Sequence, residues 1–106
     1  MTQLEGLLKI LDELIYLLES DDETHWSHWM RQSRDRLLNS DYSGIEKLFS
    51  AYGGMGSFND LGIGQTYKNG KLRWKEKYAE KNSELDRLRT KAWELADRIR
   101  RESELE

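Results

Sequence analysis

The chain contains no cysteine and no proline among its 106 residues. Without cysteine there are no disulfides and no thiolate zinc sites, which excludes the usual staples of small secreted domains. Without proline, no helix is broken from within by a residue that lacks an N–H. No apolar run approaches ~18 residues, so no segment reads as a membrane span. The opening Met1-Thr-Gln-Leu-Glu5 lacks the basic start and continuous apolar stretch of a signal peptide. These absences predict a cytoplasmic protein with no membrane association. The final Leu105-Glu106 reads as a cloning scar, leaving 1–104 as a single helical domain.

What is present is polar but sufficient for a core: 37% hydrophobic, 35% charged, with four tryptophans. Large aromatic groups of this kind are what disordered chains lack, because burying them offsets the entropy lost on ordering. A domain of this size buries about two thirds of its unfolded surface, so the core must be modest. Charge is uneven. Residues 1–66 carry eleven acidic and five basic side chains, whereas 67–106 carry twelve basic and nine acidic. An acidic front and a basic back suit self-complementary packing as well as a foreign ligand.

Apolar periodicity predicts helices for most of the chain. Over residues 2–20, Leu4, Leu7, Leu8, Leu11, Leu14, Ile15 and Leu18 recur at three- and four-residue steps. Asp22 offers a side-chain cap to a second helix over 23–39, with Trp26, Trp29, Met30, Leu37 and Leu38 on one face and Asn39-Ser40 at its end. Ser43-Gly-Ile-Glu46 has the form of a capping box for a short third helix, which Gly53 would close in the left-handed conformation. The last segment, 71–103, places Trp74, Tyr78, Lys81, Leu85, Leu88, Ala92, Leu95 and Ile99 on a heptad seam. A helix of that length would reach about 50 Å and overrun the first, leaving Leu88, Leu95 and Ile99 as a candidate oligomer interface. Asn69-Gly70 is the pair favoured in tight hairpin turns, though its flanks are short for strands.

The segment Ala51–Gly64 holds five of the eight glycines. Glycine is costly in entropy and is favoured where the backbone needs positive φ or close approach, so this is a shaped connector between helices. Candidate ligand- or partner-binding residues are Gly53, Gly54, Gly56, Ser57, Asn59 and Asp60, and the successive N–H groups around Gly54-Met-Gly-Ser57 could form an anion-binding nest. The nucleotide motifs do not fit: no lysine follows the glycines as in a P-loop, and the segment follows a helix rather than a strand. The alternative is a structural corner, with Met55, Phe58 and Leu61 plugging the core and Asn59 and Asp60 tying the loop through local hydrogen bonds. The string Tyr52-Gly-Gly-Met-Gly-Ser-Phe-Asn-Asp-Leu61 resembles a signature of an uncharacterised family of small bacterial proteins of unknown function. That resemblance implies a bacterial cytosolic helical protein and supplies no activity, cofactor or catalytic residue. The chain departs from it after Leu61, reading Gly-Ile-Gly64 where more apolar residues would be expected.

Other constellations are weaker. His25 and His28 have a spacing that could present two metal ligands, but the second Glu-x-x-His motif and the further carboxylates of a di-iron bundle are missing, so no metal is assigned. Lys68, Lys71, Arg73, Lys75 and Lys77 surround Trp74, an aromatic–basic mixture suited to single strands, yet a pI near 5.5 disfavours nucleic acid. No nucleophile–base pairing is visible in sequence. The expectation is an all-α bundle of three to four helices with a long C-terminal helix and an irregular Gly-rich insert. Its expected role is a non-enzymatic protein–protein interaction module, regulatory or immunity-like, self-associating or bound to a partner and without a cofactor. The competing expectation is a small-ligand or anion-binding protein that uses the Gly-rich loop.

Overall fold

A computed structural model describes residues 2–53, 56–68 and 70–104, with the backbone alone for Thr66, Tyr67, Lys68, Ser103 and Glu104. It is mainly helical, as the apolar periodicity predicts. The helices are α1 (Gln3–Ser20), α2 (Thr24–Leu38), α3 (Ser43–Phe49) and α4 (Tyr78–Glu104), and a small hairpin of β1 (Gln65–Lys68) and β2 (Lys71–Trp74) precedes α4. Helix α1 packs against both α2 and α4, while α3 bridges α2 to α4, so the four helices enclose one core. Leu7, Leu11, Leu14 and Leu18 of α1 are wholly buried in it, meeting Met30 and Leu37 of α2, Ile45 and Leu48 of α3, and the inner face of α4. No helix among the described residues is long and apolar enough to cross a membrane.

The caps differ from the sequence expectation in instructive ways. Thr2 caps α1, its hydroxyl accepting from the Glu5 N–H at 3.0 Å. Asp22 does not cap α2: it adopts φ +58° and turns the corner, while Glu23 takes the cap position without a side-chain bond. The Ser43–Glu46 box does not form either, because Ser43 already lies inside α3. The Asp41 carboxylate instead accepts from the Ser43 N–H at 3.0 Å. Ser40, at φ +59°, ends the α2 corner where Asn39-Ser40 predicts it. Leu38 is exposed rather than on the core face; the fully buried Ser33 takes that side, its hydroxyl donating to the Trp29 carbonyl. Opposite Ser33, a Cβ on Gly44 would sit 2.7 Å from the Ser33 carbonyl oxygen, so α2 and α3 touch backbone to backbone.

The long C-terminal helix begins seven residues later than the periodicity predicts. Residues 71–74 form β2 and pair antiparallel with β1, Gln65 opposite Trp74 and Lys68 opposite Lys71. Gly70 takes φ +75° at the hairpin end; Asn69 lies outside the described residues. Lys77, at φ +64°, then reorients the chain into α4. Its 27 residues span about 40 Å, within a molecule of 56 × 27 × 20 Å. Trp74, Tyr78 and Lys81 are therefore not core positions of a seam, whereas Leu85, Leu88, Ala92, Leu95 and Ile99 are.

Candidate functional site

The Gly-rich segment leaves α3 and is closed at its base by the Phe58 N–H donating to the Ala51 carbonyl at 2.9 Å. Ser57 caps a single 3-10 turn at Phe58–Asp60, its hydroxyl oxygen accepting from the Asn59 N–H. Gly56 stands at φ +78°, and its N–H donates to the Asp60 carboxylate at 2.9 Å. Phe58 is wholly buried, its ring 5.4 Å from Trp26 and 5.6 Å from Tyr52, as a plug for the core should be. Gly53, by contrast, is exposed and not left-handed, so it does not close α3 in the predicted manner. Gly54 and Met55 lie outside the described residues.

From Phe58 onward the loop has few backbone partners of its own, and side chains from the helices supply them. Arg89 of α4 donates through Nη1 to the carbonyls of Phe58 and Leu61, both at 2.9 Å, while Asp86 holds its other nitrogen. Asn82, two turns earlier, pairs with Ile63 like a neighbouring strand, accepting its N–H at 2.9 Å and donating to its carbonyl at 2.7 Å. Asp21, at the end of α1, accepts the Gly64 N–H at 2.8 Å and the Lys75 ammonium at 3.0 Å, with the Lys81 ammonium at 3.9 Å. Gly64 can accept this position because it has φ +88° and no Cβ; one would lie 2.6 Å from Cβ of Tyr78. Tyr52 completes the anchoring, its hydroxyl donating to the Arg89 carbonyl at 2.6 Å. Burial pushes the Tyr52 hydroxyl well above its usual range despite the Arg89 charge nearby, so it stays a proton donor.

Of the candidate loop residues, Gly56, Ser57 and Asp60 are thus bound into the corner itself. Asn59 is not. It is exposed, and its side-chain amide makes no hydrogen bond among the described residues. With Tyr52, Thr90, Trp93 and Glu94 it lines a shallow depression of about 300 Å³ between the loop and α4. Trp93 is 41% exposed there, and its ring meets Phe49 edge-on at 5.8 Å. Trp29 backs the α2–α3 side, donating to the Lys47 carbonyl at 2.8 Å under the Lys47 ammonium. Arg89, Asn82 and Asp21 had no motif to announce them, because their partners are backbone groups distant in sequence. Trp93 carried a weak signal: it falls off the seam of an otherwise regular helix.

The oligomer candidates need correction. Leu88, Leu95 and Ile99 are 1%, 8% and 8% exposed within the single chain, buried in the core where α4 packs on α1 and α3 rather than left bare. The expected overrun does not leave them bare, because α4 starts at Tyr78 and packs on α3 as well as on α1. His25 and His28 are both exposed, with His25 against the Trp26 ring at 4.7 Å. No group of three His, Asp or Glu among the described residues is placed to share a metal ion.

The fold and loop together define a class: a four-helix all-α protein with a side-chain-clamped Gly-rich corner and a small hairpin before its last helix. The chain belongs to the family described as a domain of unknown function, DUF6966, which matches residues 19–72. That stretch runs from the end of α1 through the loop into β2. No curated protein and no solved structure matches the chain.

Proposed function

We infer that this chain is a non-enzymatic protein–protein interaction module of the bacterial cytosol, regulatory or immunity-like, and that its partner face is the rim formed by Asn59, Tyr52, Thr90, Trp93 and Glu94. The observation that carries the reading is a half-exposed Trp93 beside Asn59, whose side-chain amide has no hydrogen bond among the described residues. Binding energy in protein interfaces concentrates in a few aromatic anchors flanked by groups able to complete hydrogen bonds, and preorganisation lowers the ordering cost of using them. The two groups best able to do chemistry nearby are already committed. Tyr52 is held protonated on a carbonyl, and Arg89 is spent on Phe58, Leu61 and Asp86. The competing reading, anion binding by the loop, loses support at Gly56, whose N–H already faces the Asp60 carboxylate. An incoming anion there would meet a like charge.

The test compares wild type with Asn59→Ala and Trp93→Ala in affinity capture from the source organism, followed by binding measurements on the captured protein. Asn59→Ala should leave the melting temperature unchanged and weaken binding about tenfold or more. Trp93→Ala should weaken it further at a small cost in packing on Phe49. Unchanged affinity in both variants would place the partner face elsewhere.

A further inference from the structure

The chain places its own cations over two aromatic rings. The Lys47 ammonium sits 3.6 Å from the centre of the Trp29 ring, and the Arg100 guanidinium 5.0 Å from that of Phe49. Trp93 meets Phe49 edge-on at 5.8 Å and is 41% exposed, yet no cation among the described residues covers its ring. The face of an indole carries the negative part of its quadrupole and attracts a cation more strongly than the rings of Phe or Tyr.

The depression beside Trp93 carries a single charge. Of its lining residues Tyr52, Asn59, Thr90, Trp93 and Glu94, only Glu94 is charged. Thr90 lies three and four residues before Trp93 and Glu94, so α4 presents all three on one face. Glu94 is exposed and makes no ion pair or hydrogen bond among the described residues. The cations around it are engaged or face elsewhere. Arg89 is spent on Phe58, Leu61 and Asp86, and Arg100 and Arg101 both hold Asp97. Lys91 lines the groove on the α1 side of α4, and Arg98, one turn beyond Glu94, forms no pair with it. The other carboxylates nearby, Asp86, Asp97 and Asp60, already have partners within the chain.

We propose that this depression takes an arginine side chain of the partner protein, its guanidinium stacked on the Trp93 ring with N–H edges toward the Glu94 carboxylate and the Asn59 side-chain carbonyl. The proposal rests on the reading of this rim as the partner face and says what the partner brings to it. A volume of about 300 Å³ matches one side-chain head group rather than a large cofactor. An anion would meet the charge of Glu94. An apolar side chain would strip water from that carboxylate and leave nothing in its place, which acts against such partners. A lysine ammonium would satisfy the charge as a point, whereas the flat guanidinium stacks on the ring and keeps its edge donors free for carboxylate and carbonyl together.

The test is an NMR titration of the whole chain with N-acetyl-arginine amide, beside the same derivatives of lysine, glutamate and citrulline, the last a neutral near-isostere of arginine. The arginine derivative should shift the Trp93 indole N–H and the amides of residues 90–94 saturably, with affinity on the order of millimolar for one isolated side chain. Citrulline should bind about tenfold more weakly. Glu94→Gln should reduce arginine binding to about the citrulline level and leave citrulline binding unchanged. That substitution lies on an exposed helix face, so circular dichroism should show the bundle intact. Citrulline or glutamate binding as tightly as arginine, indifference to Glu94→Gln, or no saturable shift at the depression would each overturn the proposal. Lysine binding as tightly as arginine would overturn the assignment to a guanidinium. The captured partner separates this failure from that of the rim itself. A partner weakened by Asn59→Ala and Trp93→Ala but indifferent to Glu94→Gln would keep the rim as the partner face and reject the arginine, whereas indifference to all three would reject both.

Discussion

Three glycines in one loop meet different constraints, and their substitutions should separate accordingly. Gly64→Ala meets both positive φ and the Cβ of Tyr78 at 2.6 Å, so it should cost about 2 kcal/mol or more. Gly56→Ala meets positive φ but open space, and should cost about 1 kcal/mol. Gly53→Ala meets neither and should stay within about 0.5 kcal/mol of wild type. Denaturant melts of the three read the order directly, and a Gly53→Ala cost equal to that of Gly64→Ala would contradict it. The polar neighbours divide in the same way. Asp60→Ala should lose stability because it frees the Gly56 N–H, whereas Asn59→Ala removes a side chain with no hydrogen bond among the described residues.

The hairpin and the loop behave as one attached element, and Asp21 is the attachment. Its carboxylate is 7% exposed and serves a backbone N–H and an ammonium on two different segments. Asp21→Ala would leave the Gly64 N–H and the Lys75 ammonium without their acceptor. Breaking such a pair costs several kcal/mol when it is fully buried, and less here, about 2 kcal/mol, because Lys75 is a third exposed and screened by water. Hydrogen exchange locates the effect. The Gly64 and Lys75 amides should exchange much faster in the variant, while those of the central turns of α1 should keep their protection relative to global unfolding. Uniform acceleration across the chain would mean that the hairpin is integral to the bundle rather than fastened to it.

Across the whole molecule, acid is the sensitive direction. Burial pushes the Asp97 carboxyl up, but hydrogen bonds from Arg101 and Arg100 outweigh it and leave it below the usual carboxylate range. Asp41, bonded by Ser43, and Glu84, bonded by Arg87, are lowered as well. A carboxylate whose folded pKa lies below its unfolded value stabilises the fold above the unfolded value, near pH 4. That contribution is lost as pH falls through the folded value. Urea melts should therefore show stability independent of these groups from neutrality down to about pH 5 and falling below about pH 4. Asp97→Asn should flatten part of that acid limb, and an unchanged limb would assign the sensitivity to other carboxylates.

The order of residues alone determined the helical class, the three early helices to within a residue or two, and the core face of α1. It also marked Phe58 as a plug and the Gly-rich stretch as a shaped connector. All of these follow from interactions within a few residues, where spacing reports energy directly: apolar groups three and four apart share a helix face, and glycine concentrates where the backbone must bend. Tertiary structure alone decided that residues 71–77 leave the helix, because the break falls on Lys77 in a conformation no glycine or proline announces. It alone decided that Leu88, Leu95 and Ile99 face inward, since what covers them comes from helices distant in sequence. And it alone brought Asp21, Asn82 and Arg89 to the loop, where carbonyl and N–H groups lacking strand or helix partners had to find them on neighbouring side chains. Such needs arise only once the chain is packed, which is why no local pattern in the sequence records who meets them.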